Sequence, residues 1–301
     1  MYKGFKKYSW FIFIMVFLVI IAGGVVRMTQ SGMGCPDWPK CFGMWVPPTS
    51  AEQLPTDFEE YLDKQDIDHS FNVYHTWIEY INRLLGALLG LFIFAYLIMS
   101  FKFRKSKPII FYLIIGLFFL VGFQGFLGKL VVESNLSVIK ITIHMVVALF
   151  IAMVPLLILS ILKGKDRIKN RSLKLISTLL LIISFIQIIL GTQVREAIDE
   201  ISKKYKYTAR DLWIADLDLE FIVHRSFSWI VIILAGYLLY KSIRVVRLKS
   251  IAIIIVGIVA LTIGFGLIMA YLNVPAIAQP LHLVLASLLI MAVWWYRLQL
   301  K

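Results

Sequence analysis

His75, Glu79, Asn82 and Arg83 open an apolar run that continues from Leu84 to Ser100. Spaced four, three and one apart, most of them share one helical face. A bilayer tolerates that much polarity on one stripe only where the interior of a helix bundle uses it. Three further histidines, His144, His224 and His282, stand near the starts of other apolar runs. Facing imidazoles on paired helices suit a six-coordinate haem, whose flat ring takes two opposed nitrogen ligands in an apolar slot. His224 and His282 are the natural pair. Arg83 and Arg225 can reach the carboxylates of such a haem at the membrane surface, or else snorkel to lipid head groups. For any histidine taken singly, a helix–helix hydrogen bond is the plainer use. Glu79 has two readings as well: an ion pair with Arg83, or an acid beside a substrate. The fifth histidine, His69, falls in an acidic connecting loop and is expected in solvent.

The elements that must position these residues are membrane helices. The chain has 301 residues, of which 60% are hydrophobic and 14% aromatic, and its mean hydropathy is +0.83. Apolar stretches of spanning length fall at roughly 9–26, 77–100, 109–130, 138–162, 173–194, 219–240, 250–272 and 279–296. The expected fold is therefore an all-α integral membrane protein with eight transmembrane helices. Gly23-Gly24-Val25-Val26-Arg27 follows the first span in place of a small-residue cleavage site, so that span is expected to remain as an anchor.

The net charge of +13 would suggest nucleic acid in a soluble protein. Its location gives another meaning. Nineteen of the 31 Lys and Arg residues fall before the first span, in the second, fourth and sixth connections, and at the end of the chain. The positive-inside rule then places both termini in the cytoplasm and excludes a nucleic-acid partner. The two longest connections, about 27–74 and 195–218, lie on the other side. The first holds both cysteines, Cys35 and Cys41. Outside the cytoplasm a pair six apart can form a disulfide; a metal site is the alternative, with no second Cys/His pair nearby.

The two halves of the chain echo each other. Gly24-Val25-Val26-Arg27 corresponds to Gly191-Thr192-Gln193-Val194-Arg195, and Tyr80-Ile81-Asn82-Arg83 to Phe221-Ile222-Val223-His224-Arg225. Gly122-Phe123-Gln124-Gly125 corresponds to Gly264-Phe265-Gly266, and Ile141-Thr142-Ile143-His144 to Gln279-Pro280-Leu281-His282. Four helices per half is an even number, so the repeats share one orientation about an axis along the membrane normal. Two pseudo-symmetric four-helix bundles are expected. The repeat calls for a histidine at position 82, and the sequence supplies Asn82. His75 lies seven residues earlier, about 10 Å of helical rise away.

The run from Gly24 through Cys35-Pro36-Asp37-Trp38-Pro39-Lys40-Cys41 resembles the first outer loop of the haem A synthase family. Glu79-Tyr80-Ile81-Asn82-Arg83 resembles that family's Glu-Tyr-x-His-Arg motif, with asparagine in place of histidine. Gly125-Phe126-Leu127-Gly128 and Gly191-Thr192-Gln193-Val194-Arg195-Glu196-Ala197-Ile198-Asp199 are similar too, so the resemblance covers all eight helices.

That resemblance implies an oxidoreductase of the cell membrane that converts the C8 methyl of haem O to a formyl group by successive hydroxylations, giving haem A for terminal oxidases. It implies a haem b cofactor with iron ligated by His224 and His282, substrate iron held by His144, Glu79 as catalytic acid, and a Cys35–Cys41 disulfide in an outer loop. Residues 1–165 would form the haem O half with the Cys loop, and 166–301 the haem b half. Asn82 departs from the pattern, and His75 is the expected replacement ligand, with His144 as sole ligand the alternative. Partners on this reading are haem O, membrane lipid, an electron donor with no nicotinamide or flavin fingerprint in this chain, and haem O synthase as hand-off partner; a homo-oligomer is compatible with it. Two other classes compete: a membrane cytochrome b that only passes electrons, and a transporter built on parallel repeats.

Overall fold

The structure, a computed structural model, describes residues 2–62, 71–164 and 167–301. His69, expected in solvent, lies outside the described residues. Among the described residues, eight helices are long and apolar enough to cross a membrane. They are α1 (Lys3–Met28), α2 (Val73–Ser100), α3 (Pro108–Glu133), α4 (Val138–Lys163), α5 (Arg171–Lys204), α6 (Leu219–Ser242), α7 (Val246–Tyr271) and α8 (Ala278–Arg297). No strand occurs among the described residues, as an all-α membrane fold requires.

Local chemistry sets the helix ends. The Asn72 side chain accepts from the backbone N–H of Tyr74 at the start of α2. Asn170 caps α5 in the same way through Leu173 N, and Pro108 occupies the first turn of α3, where a missing N–H costs nothing. The helices α1, α3, α5 and α7 all stop alike. A residue with positive φ (Gln30, Asn135, Lys206, Asn273) turns the chain. The next N–H then bonds back five residues: Ser31 to Val26, Leu136 to Val131, Tyr207 to Ser202 and Val274 to Met269. This is the Schellman closure of a helix C-terminus, repeated four times.

Seven spans match the hydropathy reading to within several residues. The fifth runs ten residues past the expected 194, because its polar end still pays helical dividends: Arg195 and Asp199 pair at i,i+4 with 3.3 Å between Nε and Oδ2.

Two compact units divide the chain, Met1–Leu162 and Lys163–Lys301. In the first, Phe5, Ile12, Ile93, Tyr96 and Phe103 are fully buried, and Ser9 Oγ meets Tyr96 Oη at 2.5 Å. In the second, Leu173, Leu180, Leu238, Leu248, Ile255, Val293 and Tyr296 form the core. These packed ends leave the histidine-bearing turns at the opposite ends of their helices.

Candidate functional site

In the second unit, His224 stands in the second turn of α6 and His282 in the second turn of α8. Their ring centroids are 6.4 Å apart with planes inclined at 62°. Two imidazoles binding one metal from opposite sides need about 2 Å from metal to each nitrogen and about 1 Å more to each ring centre, hence roughly 6 Å in all. The pair therefore fits a shared iron. Both rings are steered from behind. Thr262 O lies 2.9 Å from His282 Nδ1 and accepts its proton, leaving Nε2 as the free nitrogen. Gln187 Nε2 donates to His224 O at 3.0 Å and lies 3.3 Å from His224 Nδ1.

Glycines make room for the rings. A Cβ on Gly191 of α5 would stand 3.2 Å from His224 Cε1, and one on Gly266 of α7 3.4 Å from His282 Cε1. The first unit repeats the device: a Cβ on Gly128 would stand 3.6 Å from His144 Cε1, and Gln124 Nε2 donates to His144 O at 2.9 Å. Gly128 and Gly266 each precede their histidine by 16 positions, and Gln124 and Thr262 by 20. By their contacts with the histidine rings, Gly128 and Gly266 occupy matching positions, one helical turn from the correspondence of Gly122–Gly125 with Gly264–Gly266.

Five buried side-chain polar atoms have no hydrogen-bond partner among the described residues: Asn82 Oδ1, Gln124 Oε1, His144 Nδ1, Gln187 Oε1 and Arg195 Nε, the last ion-paired with Asp199. Native interiors rarely leave such groups unpaired. Gln124 and Gln187 are the side chains that also bond the backbones of His144 and His224.

The outer loop of the first unit is fastened to α2. Cys35 and Cys41 form a disulfide, and Asp37, within that ring, accepts the N–H groups of Phe42 and Gly43 just beyond it. Thr76 Oγ1 donates to Gly34 O at 2.8 Å. The loop crosses α2 so closely here that a Cβ on Gly34 would overlap His75 O. Glu79, 4% exposed, accepts Cys35 N–H at 2.9 Å on one carboxylate oxygen and Arg83 on the other. All five N–H donors of Arg83 are engaged: with Glu79 Oε1 through Nε and Nη2, with Asp37 O and Lys40 O through Nη1, and with Cys35 O through Nη2.

The structure thus brings together Glu79, Arg83, Cys35 and Cys41 in one cluster and His224 with His282 in another. Arg83, expected to reach a haem carboxylate, has its donors committed to Glu79 and the loop. Arg225 is exposed, with its guanidinium 5.6 Å above the Phe221 ring. His75 lies in the first turn of α2, its N–H directed to Asn72 Oδ1, two turns before Asn82. Sequence reasoning missed Thr262, Gln187 and Thr76 as supports; the constant 16- and 20-residue spacings before His144 and His282 were the signal for the first of these.

Fold and site together define a helical membrane protein with eight candidate spans among the described residues and two imidazoles 6.4 Å apart. The chain belongs to the cytochrome oxidase assembly protein family, which it matches over residues 6–294. It is 26% identical to a heme A synthase of Rickettsia bellii over 94% of each chain. It is 34% identical to a heme A synthase of Beijerinckia indica, over 42% of this chain and 37% of that one. With a heme A synthase–mitochondrial ferredoxin fusion protein of Schizosaccharomyces pombe it shares 31% identity over 41% of this chain and 21% of that one. The alignments with the Beijerinckia, Shewanella oneidensis and Bartonella tribocorum proteins span 37%, 42% and 58% of those relatives' lengths.

Proposed function

We propose that this protein is a haem A synthase, an oxidoreductase that converts the C8 methyl of haem O to a formyl group through two hydroxylations and loss of water. Each hydroxylation takes one atom of dioxygen into a C–H bond while the other leaves as water with two electrons and two protons from the donor, and the resulting geminal diol loses water to the aldehyde. The observation that carries the reading is the His224–His282 pair at 6.4 Å in a chain similar end to end to a heme A synthase.

In this reading His224 and His282 ligate the iron of a resident haem b, which supplies electron transfer when bound. Thr262 and Gln187 orient the two rings, and Gly191 and Gly266 keep the slot open. His144 holds the iron of the substrate haem O, backed by Gly128 and Gln124, with His75 as the second ligand in place of Asn82. Glu79 carries protons at the loop face of the first unit. Its pairing with Arg83 also holds the Cys35–Cys41 loop over the start of α2. Residues 1–165 are the substrate half and 166–301 the cofactor half.

The protein would sit in the cytoplasmic membrane with both termini inside and the Cys loop outside. Haem O synthase would hand over the substrate. The ferredoxin joined to one relative points to a small iron–sulfur protein as the class of electron donor.

The test is haem extraction from a host that makes haem O, with and without this protein, resolved by chromatography. Haem A should appear with the protein and be lost in His144→Ala. Unconverted haem O despite a working electron supply would instead favour a cytochrome that only passes electrons.

A further inference from the structure

One stripe of α5 faces the His224 side of the second unit. Gln187 bonds the backbone of His224, and Gly191, one turn on, is the position whose Cβ would press on the His224 ring. Arg195 follows after another four residues, about 6 Å further along the helix on the same broad face. Its Nε is shut off from solvent and has no hydrogen-bond acceptor. Asp199 Oδ2 lies 3.3 Å away and forms an ion pair with it. Asp199 is itself about half exposed. A guanidinium is a fork of five donors that stays charged in any protein interior, and one ion pair at Nε engages only part of it. The shape and charge that complete it are those of a carboxylate, taken in a charge-assisted contact.

We propose that Arg195 anchors a carboxylate of the haem held between His224 and His282. This rests on the reading of that pair as a haem site. The two arginines that the sequence offers for the task are less suited to it: Arg83 belongs to the other unit and its donors are all engaged, and Arg225 lies exposed above Phe221. Arg195 is a positioning residue. It fixes the rotation of the haem in its slot and offsets the negative charge at the ring edge. An offset carboxylate stabilises the ferric state less, so Arg195 raises the reduction potential.

The experiment uses full-length protein, purified in detergent. It compares wild type with Arg195→Gln and Arg195→Lys by redox titration of the low-spin haem. Affinity is also measured for iron protoporphyrin and for its dimethyl ester, whose carboxylates are masked. In wild type the ester should bind about 10- to 100-fold more weakly than the free acid, the range of a charge-assisted hydrogen bond. In Arg195→Gln that discrimination should vanish and the potential should fall, with the two-imidazole spectrum retained. Arg195→Lys should lie between. If Arg195→Gln takes up no haem, restoration of uptake in Arg195→Lys supports the anchor. Equal binding of acid and ester by wild type overturns it without requiring any variant to fold, as does an unchanged potential in Arg195→Gln. A wild-type protein that binds no haem with a two-imidazole spectrum defeats the haem site itself, a result distinct from losing the anchor alone.

Discussion

His224 and His282, 58 residues apart in the chain, hold their imidazoles 6.4 Å apart with ring planes inclined at 62°. The spacing corresponds to one metal between them, and Thr262 already holds the far nitrogen of His282. Replacing either histidine by alanine should abolish the low-spin haem spectrum of the purified protein. His224→Met should keep a six-coordinate haem at a higher potential, because a thioether ligand favours the reduced iron. Absorption spectra with redox titration decide both.

The glycines behind the rings give a graded prediction. A Cβ at Gly128 would lie 3.6 Å from His144, an ordinary contact, whereas one at Gly191 would lie 3.2 Å from His224. Gly128→Ala should therefore leave haem binding almost unchanged. Gly191→Ala should displace the His224 ring by a few tenths of an ångström and weaken haem retention, and Gly191→Val should abolish it. Haem content per protein after gel filtration measures the series.

Arg83 holds three loop carbonyls and Glu79 at once. Arg83→Gln strands the Glu79 carboxylate in a largely buried place, and breaking a buried pair in this way typically costs about 3–5 kcal/mol. The variant should melt at lower temperature, and its 35–41 loop should become sensitive to reductant and protease. Gly34→Ala should mimic the loop effect with the ion pair intact, since its methyl group would overlap the backbone at His75. Limited proteolysis with and without reductant separates the two.

Much of this fold was legible in the residues, because a span of apolar side chains has only one solution in lipid. The eight helices and the pairing of His224 with His282 came from hydropathy and the repeat. The end of α5 did not: Arg195-Glu196-Ala197-Ile198-Asp199 reads as a loop by hydropathy yet continues a helix through i,i+4 pairing. The partners of Arg83 were hidden too, since Asp37, Lys40 and Cys35 offer it backbone carbonyls, which every residue type possesses. Thr262 acts through its carbonyl for the same reason and leaves no mark in the sequence beyond its spacing from His282.

Asn82 is where the first unit leaves the repeat, and its Oδ1 is buried without a partner. If His75 and His144 both hold the substrate iron, His75→Ala should turn the substrate haem from low spin to high spin. Adding Asn82→His to that variant should restore the low-spin signal from the repeat-related position. An unchanged spectrum in His75→Ala would leave His144 as the sole ligand.

The account stands most directly on a single-turnover reaction. Purified protein carrying its resident haem is loaded with haem O, reduced, exposed to oxygen, and the extracted haem is identified by mass spectrometry. The account predicts the C8 alcohol followed by haem A in the wild type, and neither in His144→Ala with the His224–His282 haem still reducible. Haem O recovered intact from a wild-type protein whose resident haem cycles normally would contradict it.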